Sequence, residues 1–92
     1  MIRTIKHRGL KRLHEGDDAS GVLSQYAQKI RRILFVLDNA NEMADVDLPG
    51  FRLHSLKGDM KGFWSISVSR NWRVIFRFDG QDVTDLDMVD YH

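Results

Sequence analysis

The sequence predicts an α+β fold with the order β-α-α-β-β-β(-β), in which two helices pack on one face of an antiparallel sheet. Apolar residues recur at helical spacing before Pro49, whereas apolar and polar residues alternate after it, as they do in half-buried strands. Consecutive strands joined by short turns pair antiparallel, and the helices before them are expected to cover one sheet face. With 92 residues, the chain is expected to form a single domain over residues 1–92.

The first half of the chain contains the predicted helices. Residues 2–6 predict a short first strand, and residues 7–15 predict a short basic helix in which two leucines lie three positions apart. A longer amphipathic helix is predicted over residues 23–40, followed by a polar connection over residues 41–49 with room for one helical turn. The apolar face of the longer helix comprises Leu23, Tyr26, Ala27, Ile30, Ile33, Leu34 and Leu37, widened by Phe35 and Val36.

The second half predicts three or four strands separated by turns. The alternating stretches cover residues 51–55, 64–69 and 72–78 and a last, more irregular strand that runs to the end of the chain. The connections are a turn over residues 58–62, a tight turn at Arg70–Asn71 and a hairpin signal at Asp79–Gly80. The residues expected to pack under the helices are Trp72, Val74, Phe76 and Phe78.

Composition excludes several classes of protein. The chain has no cysteine, so a disulfide framework or thiolate metal site is not available, and its four histidines lack metal-ligand spacing. The basic N-terminal residues are not followed by an apolar run, so no signal peptide is expected. The longest apolar stretch, residues 33–37, is too short to span a bilayer. We therefore expect a cytoplasmic protein.

Charge is unevenly distributed although the formal net charge is only +1. Between residues 52 and 77 Asp59 is the single acid, whereas from Asp79 onward there are five aspartates and no lysine or arginine. A locally basic stretch can attract phosphate in a nearly neutral chain, but two solvated faces of opposite sign would give the same pattern. The basic residues of this stretch are Arg52, Lys57, Lys61, Arg70, Arg73 and Arg77.

Alternation also sorts the residues that could carry chemistry. If Trp72 and Val74 face the helices, Arg73 and Arg77 lie on the opposite face of the sheet. If the strands are also neighbours, these arginines lie beside His54 and Arg52. RNA cleavage by an internal 2′-hydroxyl needs groups that withdraw a proton, stabilise charge on phosphorus and protonate the 5′ oxygen, and histidine, lysine and arginine supply them. Each residue alone is a common surface type, so the pattern leaves its role open.

Two further positions stay open at this point. Spacing does not fix the reach of Lys57, which lies where the strand gives way to the Gly58 turn. Tyr91 and His92 directly follow the last strand. The tyrosine either stacks on a base or closes the edge of the core, and the histidine is either held in place or has no role beyond being the last residue.

Five stretches carry a resemblance that covers essentially the whole chain. They include the motifs Asn71-Trp72-Arg73 and Asp90-Tyr91-His92, and they span residues 2–11, 53–59, 62–68, 71–78 and 90–92. In these stretches the sequence resembles the HigB-type host-killing toxins, a branch of the RelE/ParE toxin superfamily. It departs from relatives at Arg70, where a small residue or a differently placed base is frequent, and at Ser55, where proline is common.

The resemblance implies a toxin that enters the ribosomal A site and cleaves messenger RNA there, often at adenine-containing codons, without a metal or other cofactor. It implies that His54 and His92 transfer protons, that Arg73 stabilises the phosphate and that Tyr91 stacks on or positions a base. Lys57 and Asp90 would support the phosphate and orient His92 or Tyr91, respectively, and Arg70 is a further candidate contact with the phosphate or with ribosomal RNA.

The resemblance also implies partners and leaves rivals open. The expected partners are a HigA-type antitoxin with a helix-turn-helix, through which the complex would bind its operator DNA, and a ribosome carrying messenger RNA. One rival is a ParE-like gyrase poison with no nuclease chemistry, which would not need His54, Tyr91 and His92 together. Another is a module that only binds nucleic acid. A folded but inactive toxin remains a third reading.

Overall fold

The computed structural model describes residues 1–90, so Tyr91 and His92 lie outside the described residues. Helices α1 (Arg8–Gly16) and α2 (Ala27–Asn39) precede four strands. The strands are β1 (His54–Ser55), β2 (Trp64–Ser67), β3 (Trp72–Asp79) and β4 (Asp82–Asp90), and short 3₁₀ turns lie at Ala19–Gly21, Ser24–Tyr26, Met43–Asp45 and Gly58–Met60. The predicted α+β class, with two helices and an antiparallel sheet, is confirmed.

Helix α1 is held at both ends by specific hydrogen bonds. At its start, the Nδ1 atom of His7 accepts from the backbone N–H of Leu10 at 3.1 Å. At its end, Asp17 adopts a left-handed conformation with φ of 51°, and its N–H donates to the carbonyl of Leu13. The predicted short helix is therefore confirmed within one residue at each end.

Helix α2 begins later than the pattern predicts, because Ser24–Tyr26 forms a separate 3₁₀ turn before it. Its buried residues are Ala27, Ile30, Ile33, Leu34 and Leu37, all of which belong to the predicted apolar face. The expectation that Phe35 widens this face is wrong, since Phe35 is 70% exposed. Successive helical residues are rotated by about 100°, so the residue after Leu34 turns away from the core.

The sheet has the order β1-β2-β3-β4 with every neighbouring pair antiparallel. The predicted strand over residues 2–6 is present only as two isolated bridges, Ile2 with Val83 and Ile5 with Leu86, and it runs parallel to β4. The register of β3 against β4 shifts between Ile75 and Arg77. On β4 opposite this shift, Asp85 has a φ of 53° and donates its N–H to the Thr4 hydroxyl, which interrupts regular pairing with the N-terminal segment.

One sheet face and the two helices enclose a common core. Its fully buried members come from α1, α2, the connection after α2 and all three long strands. They include Leu10, Ile30, Ile33, Leu37, Val46, Phe51, Ile66, Val74, Phe76, Val83 and Leu86. The core therefore occupies one side of the sheet, and the opposite side is left for other contacts.

Asp38 joins α2 to both α1 and the N-terminal segment. Its carboxylate accepts from the Ile2 N–H at 2.9 Å and lies 3.0 Å from the Nε2 atom of His14. Burial acts to raise the pKa of Asp38, but these two hydrogen bonds and the nearby positive charges of His14 and the N-terminus hold it below its ordinary value.

The predicted strand over residues 51–55 is wrong for most of its length. Only His54 and Ser55 pair with β2, whereas Phe51 is buried in the core and Arg52 adopts a left-handed conformation with φ of 50°. The Ser67 N–H donates to the Phe51 carbonyl at 2.8 Å, so the chain stays beside β2 without a regular ladder. A residue with positive φ cannot continue the alternation of a strand, so Arg52 and His54 do not form one row.

Candidate active site

A cleft of about 610 Å³ lies beside β1, β2 and β3 on the sheet face opposite the core. Its lining includes a histidine, a lysine and an arginine, and the lining surface is largely apolar. The residues that line it are His54, Ser55, Leu56, Lys57, Met60, Ser65, Arg73, Ile75 and Val89. Because none of these is acidic, the described part of the cleft favours an anionic ligand.

Strand register brings the predicted residues of this cleft together. His54 on β1 pairs with Ser65 on β2, and Ser65 pairs in turn with Ile75 on β3, so these three form one row across the sheet. Arg73 lies two residues before Ile75 on the same face and pairs with Val89 on β4. His54 is exposed and Arg73 is half-buried, so one presents its ring to solvent and the other is held against the sheet.

Lys57 reaches the cleft from the connection after β1. It is exposed, has extended backbone and directly precedes the 3₁₀ turn Gly58–Met60. Spacing alone does not fix where this lysine reaches. In the structure it lines the same cleft as His54.

Arg52 and Arg77 do not line the cleft, contrary to the expected basic face. Arg52 lies outside the sheet, for the backbone reason given above. Arg77 points toward the other end of the sheet, where its guanidinium lies 5.5 Å from the Phe63 ring centre and 4.0 Å from an Asp85 oxygen. Of the three arginines expected on this face, Arg73 alone is among the described residues that line the cleft.

The remaining candidates lie at the end of the sheet near the β2–β3 turn or beyond. Arg70 is exposed in that turn and is not among the cleft residues. Asp90 ends β4 and pairs with Trp72. Tyr91 and His92 lie outside the described residues, so the meeting of His92 with His54 stays a prediction.

Ser65 is a cleft residue that the sequence pattern did not single out. In the alternating stretch of residues 64–69 it falls on the side opposite Trp64 and Ile66, yet it is only 1% exposed. Its Oγ is buried and has no hydrogen-bond partner within residues 1–90. The signal that could have found it is its place in the alternation, which puts a small side chain on a central strand with a neighbouring strand on each side.

Acidic side chains concentrate at the hairpin that joins β3 and β4, and basic groups of the N-terminal segment pair with them. Arg3 lies 3.5 Å from Asp82 and 3.7 Å from Asp79, and Lys6 lies 4.0 Å from Asp85. These exposed ion pairs offset the carboxylates at a distance from the cleft, and each contributes little to stability.

Two features are absent from the described residues. Within residues 1–90, no group of three or more histidine, aspartate or glutamate side chains is arranged to hold a metal ion. No helix in that part of the chain is sufficiently long and apolar to cross a membrane.

Comparison with known proteins gives a consistent family. Residues 3–92 match the family model of HigB-like toxins, described as the RelE-like toxin of the type II toxin–antitoxin system HigB. The chain is 42% identical over 92 residues, covering 100% of both chains, to the Endoribonuclease HigB of Proteus vulgaris. It is 31% identical over 80 residues to Toxin HigB-1 of Vibrio cholerae serotype O1, covering 85% of this chain and 84% of that one.

Solved structures show the same fold at low sequence identity. A mutant of YafQ from E. coli superposes with a TM-score of 0.64 and 16% identity, covering 98% of this chain and 91% of that one. The YoeB–YefM complex from Staphylococcus aureus matches with a TM-score of 0.61 and 18% identity, covering 100% of this chain and 95% of that one.

Proposed function

Because this chain belongs to the HigB-like family of RelE-like toxins of type II toxin–antitoxin systems, we propose that it cleaves messenger RNA in the ribosomal A site. The full-length identity of 42% to a protein named as an endoribonuclease supports the nuclease activity. The single structural observation that supports it most is the cleft, in which His54, Lys57 and Arg73 share one surface and none of the described lining residues is acidic. A phosphodiester is the anion that such a surface suits.

The reaction proposed is attack of a 2′-oxygen on the adjacent phosphorus. A bond forms between that oxygen and phosphorus, and the bond from phosphorus to the 5′ oxygen breaks. The 2′ proton goes to a general base and the 5′ oxygen receives a proton from a general acid, so no external co-reactant is needed. We assign these two proton transfers to His54 and His92, without fixing which residue takes which role.

The remaining site residues would position the substrate and stabilise charge. Arg73 would bind the phosphate as negative charge grows on its oxygens, since its guanidinium donates two hydrogen bonds and stays ionised. Lys57 would contribute a second positive charge from the rim. Tyr91 would stack on or position a base, and Asp90 would orient His92 or Tyr91. Arg70 would contact the phosphate backbone or ribosomal RNA.

As a toxin of a type II system, the chain has an antitoxin partner. We propose that this partner is a HigA-type protein with a helix-turn-helix and that the complex binds its own operator through the antitoxin. YoeB–YefM from Staphylococcus aureus is described as a toxin–antitoxin complex, which is in keeping with this arrangement.

A defined ribosome assay tests the activity. Ribosomes carrying an mRNA with a known A-site codon are incubated with the protein, and the cut is mapped by primer extension. We expect one cut within the A-site codon, and no product when the antitoxin is added first. A ParE-like gyrase poison would give no cut but would block DNA supercoiling by gyrase, and a simple nucleic-acid binder would protect RNA without cutting it.

The same assay tests the proposed absence of a metal requirement. EDTA is added below the Mg²⁺ concentration, so that transition metals are chelated while the ribosomes keep their Mg²⁺. We expect an unchanged cleavage rate. Loss of cleavage that one added transition metal restores would contradict the proposal.

A further inference from the structure

The buried hydroxyl of Ser65 is not accounted for by the packing of the fold. The side chain sits on central strand β2, is 1% exposed, and its Oγ has no hydrogen-bond partner in the described part of the chain. Burying a hydroxyl without a partner costs free energy, whereas alanine would fill nearly the same space without that cost. A serine at this position therefore destabilises the ligand-free fold relative to alanine, a cost that a contact with a ligand would explain.

The surroundings of Ser65 indicate what that ligand is. Ser65 lines the cleft and is the direct cross-strand partner of His54, and Arg73 lies diagonally across β3 on the same face. Directly opposed residues have Cβ atoms about 4.5–5.5 Å apart and diagonal ones about 7–8 Å apart, within reach of long side chains. Ser65 thus occupies the strand position between His54 and Arg73 on the cleft face, where an anion bound by both would rest.

Resting on the proposed function, we infer that Ser65 donates a hydrogen bond to a non-bridging oxygen of the phosphodiester that is cut. A buried hydroxyl on a central strand is fixed before the substrate arrives, so it stabilises growing negative charge without having to reorganise. The cations Lys57 and Arg73 and the His54 ring line the same cleft, and together they favour a phosphate over an uncharged base edge.

The first test compares Ser65→Ala with Ser67→Ala. Ser67 lies on the same strand, but its hydroxyl donates to the Ser69 carbonyl at 3.1 Å and is satisfied within the protein. We expect Ser65→Ala to lower the single-turnover rate on programmed ribosomes by about 10- to 100-fold, because one hydrogen bond to a charged group is lost. Ser67→Ala should cut at the wild-type rate.

Urea unfolding of the same variants separates binding from structure. Ser65→Ala should unfold at the wild-type urea midpoint or a higher one, whereas Ser67→Ala should unfold at a lower midpoint because it loses an internal hydrogen bond. A lower midpoint for Ser65→Ala would show that its hydroxyl serves the fold, and the inference would be overturned.

Stereospecific sulfur substitution tests the atom that Ser65 contacts. Substrates carry sulfur at one or the other non-bridging oxygen of the cleaved phosphate, giving two diastereomers. Sulfur accepts a hydrogen bond poorly, so wild type should be slowed more by the diastereomer with sulfur at the contacted position. Ser65→Ala should lose most of that discrimination. Unchanged discrimination in Ser65→Ala would place the hydroxyl elsewhere and overturn the inference.

Failure of this inference is distinguishable from failure of the proposed function. If wild-type protein leaves A-site mRNA intact, the proposed function fails. If wild type cuts and Arg73→Ala does not, but Ser65→Ala matches wild type in rate and discrimination, only the role of Ser65 is wrong.

Discussion

His54 and Arg73 lie on strands that do not pair with each other, yet both side chains line one cleft. The strand between them, β2, pairs with β1 and with β3, so main-chain hydrogen bonds set the spacing of the two residues. Sites held by strands keep their geometry better than sites held by loops. Exchanging either side chain therefore tests the chemistry of the cleft with little disturbance of its frame.

Replacing Arg73 should remove the main stabilisation of the phosphate. We expect Arg73→Ala to lower the cleavage rate on programmed ribosomes by about 10²–10³-fold, the scale of one electrostatic group. Arg73→Lys should recover part of the rate, because it restores a charge but not the two-pronged hydrogen bonding. Arg12→Ala, on the exposed side of α1, is the matched control and should cut normally. Wild-type cleavage by Arg73→Ala would remove this residue from the site.

Replacing His54 should remove a proton-transfer group that a small molecule can supply. We expect His54→Ala to lose about 10²–10³-fold in rate, within the range for one acid or base. Because His54 is exposed on the cleft rim, added imidazole should enter the space and restore part of the activity. Arg73→Ala should show no such rescue. If imidazole leaves His54→Ala unchanged or accelerates both variants equally, the assignment of proton transfer to His54 is wrong.

Lys57 and Lys61 provide a matched pair for testing phosphate binding. Both are exposed and lie four residues apart, but only Lys57 lines the cleft. Binding of a short 2′-O-methyl oligoribonucleotide, which cannot be cut, is measured over a range of salt concentrations. We expect Lys57→Ala to bind more weakly and to reduce the salt slope by about 0.7, the value for one phosphate contact on a single strand. Equal effects of Lys57→Ala and Lys61→Ala would indicate attraction by general charge alone.

Alternation predicts much of this cleft, but only where strands are regular. Because side chains alternate between the two faces of a strand, the sequence predicts that Arg73 faces away from Trp72 and Val74. The short turn between β2 and β3 predicts that these strands pair, and the structure confirms that they do. The same rule failed for Arg52, since a positive φ ends the alternation before β1. Backbone conformation at a single residue depends on its tertiary surroundings, which a local pattern does not contain.

Other features depend on contacts far apart in the sequence. At the bulge, the Asp85 N–H donates to the hydroxyl of Thr4, 81 residues earlier. Neither the N-terminal segment nor β4 alone therefore predicts that the two run side by side in parallel. Arg77 shares the face of Arg73, but Phe63 and Asp85 draw it to the other end of the sheet. The burial of Ser65 depends on its place in a central strand. The sequence implies that strand order, but serine is usually an exposed residue, so the residue type alone does not predict the burial.

The hydrogen bonds of Asp38 make the junction of both helices and the N-terminal segment dependent on pH. A carboxylate whose pKa is lowered in the folded state stabilises the fold above its unfolded value of about 3.9, and this contribution is lost as pH falls through the folded pKa. We expect Asp38→Asn to unfold at a lower urea midpoint than wild type near pH 7, with the gap closing as the pH is taken from about 5 to below 3. Asp47→Asn, an exposed aspartate, is the control and should follow wild type throughout. A gap that stayed constant over this range would show that the Asp38 charge contributes nothing and that packing alone holds the junction.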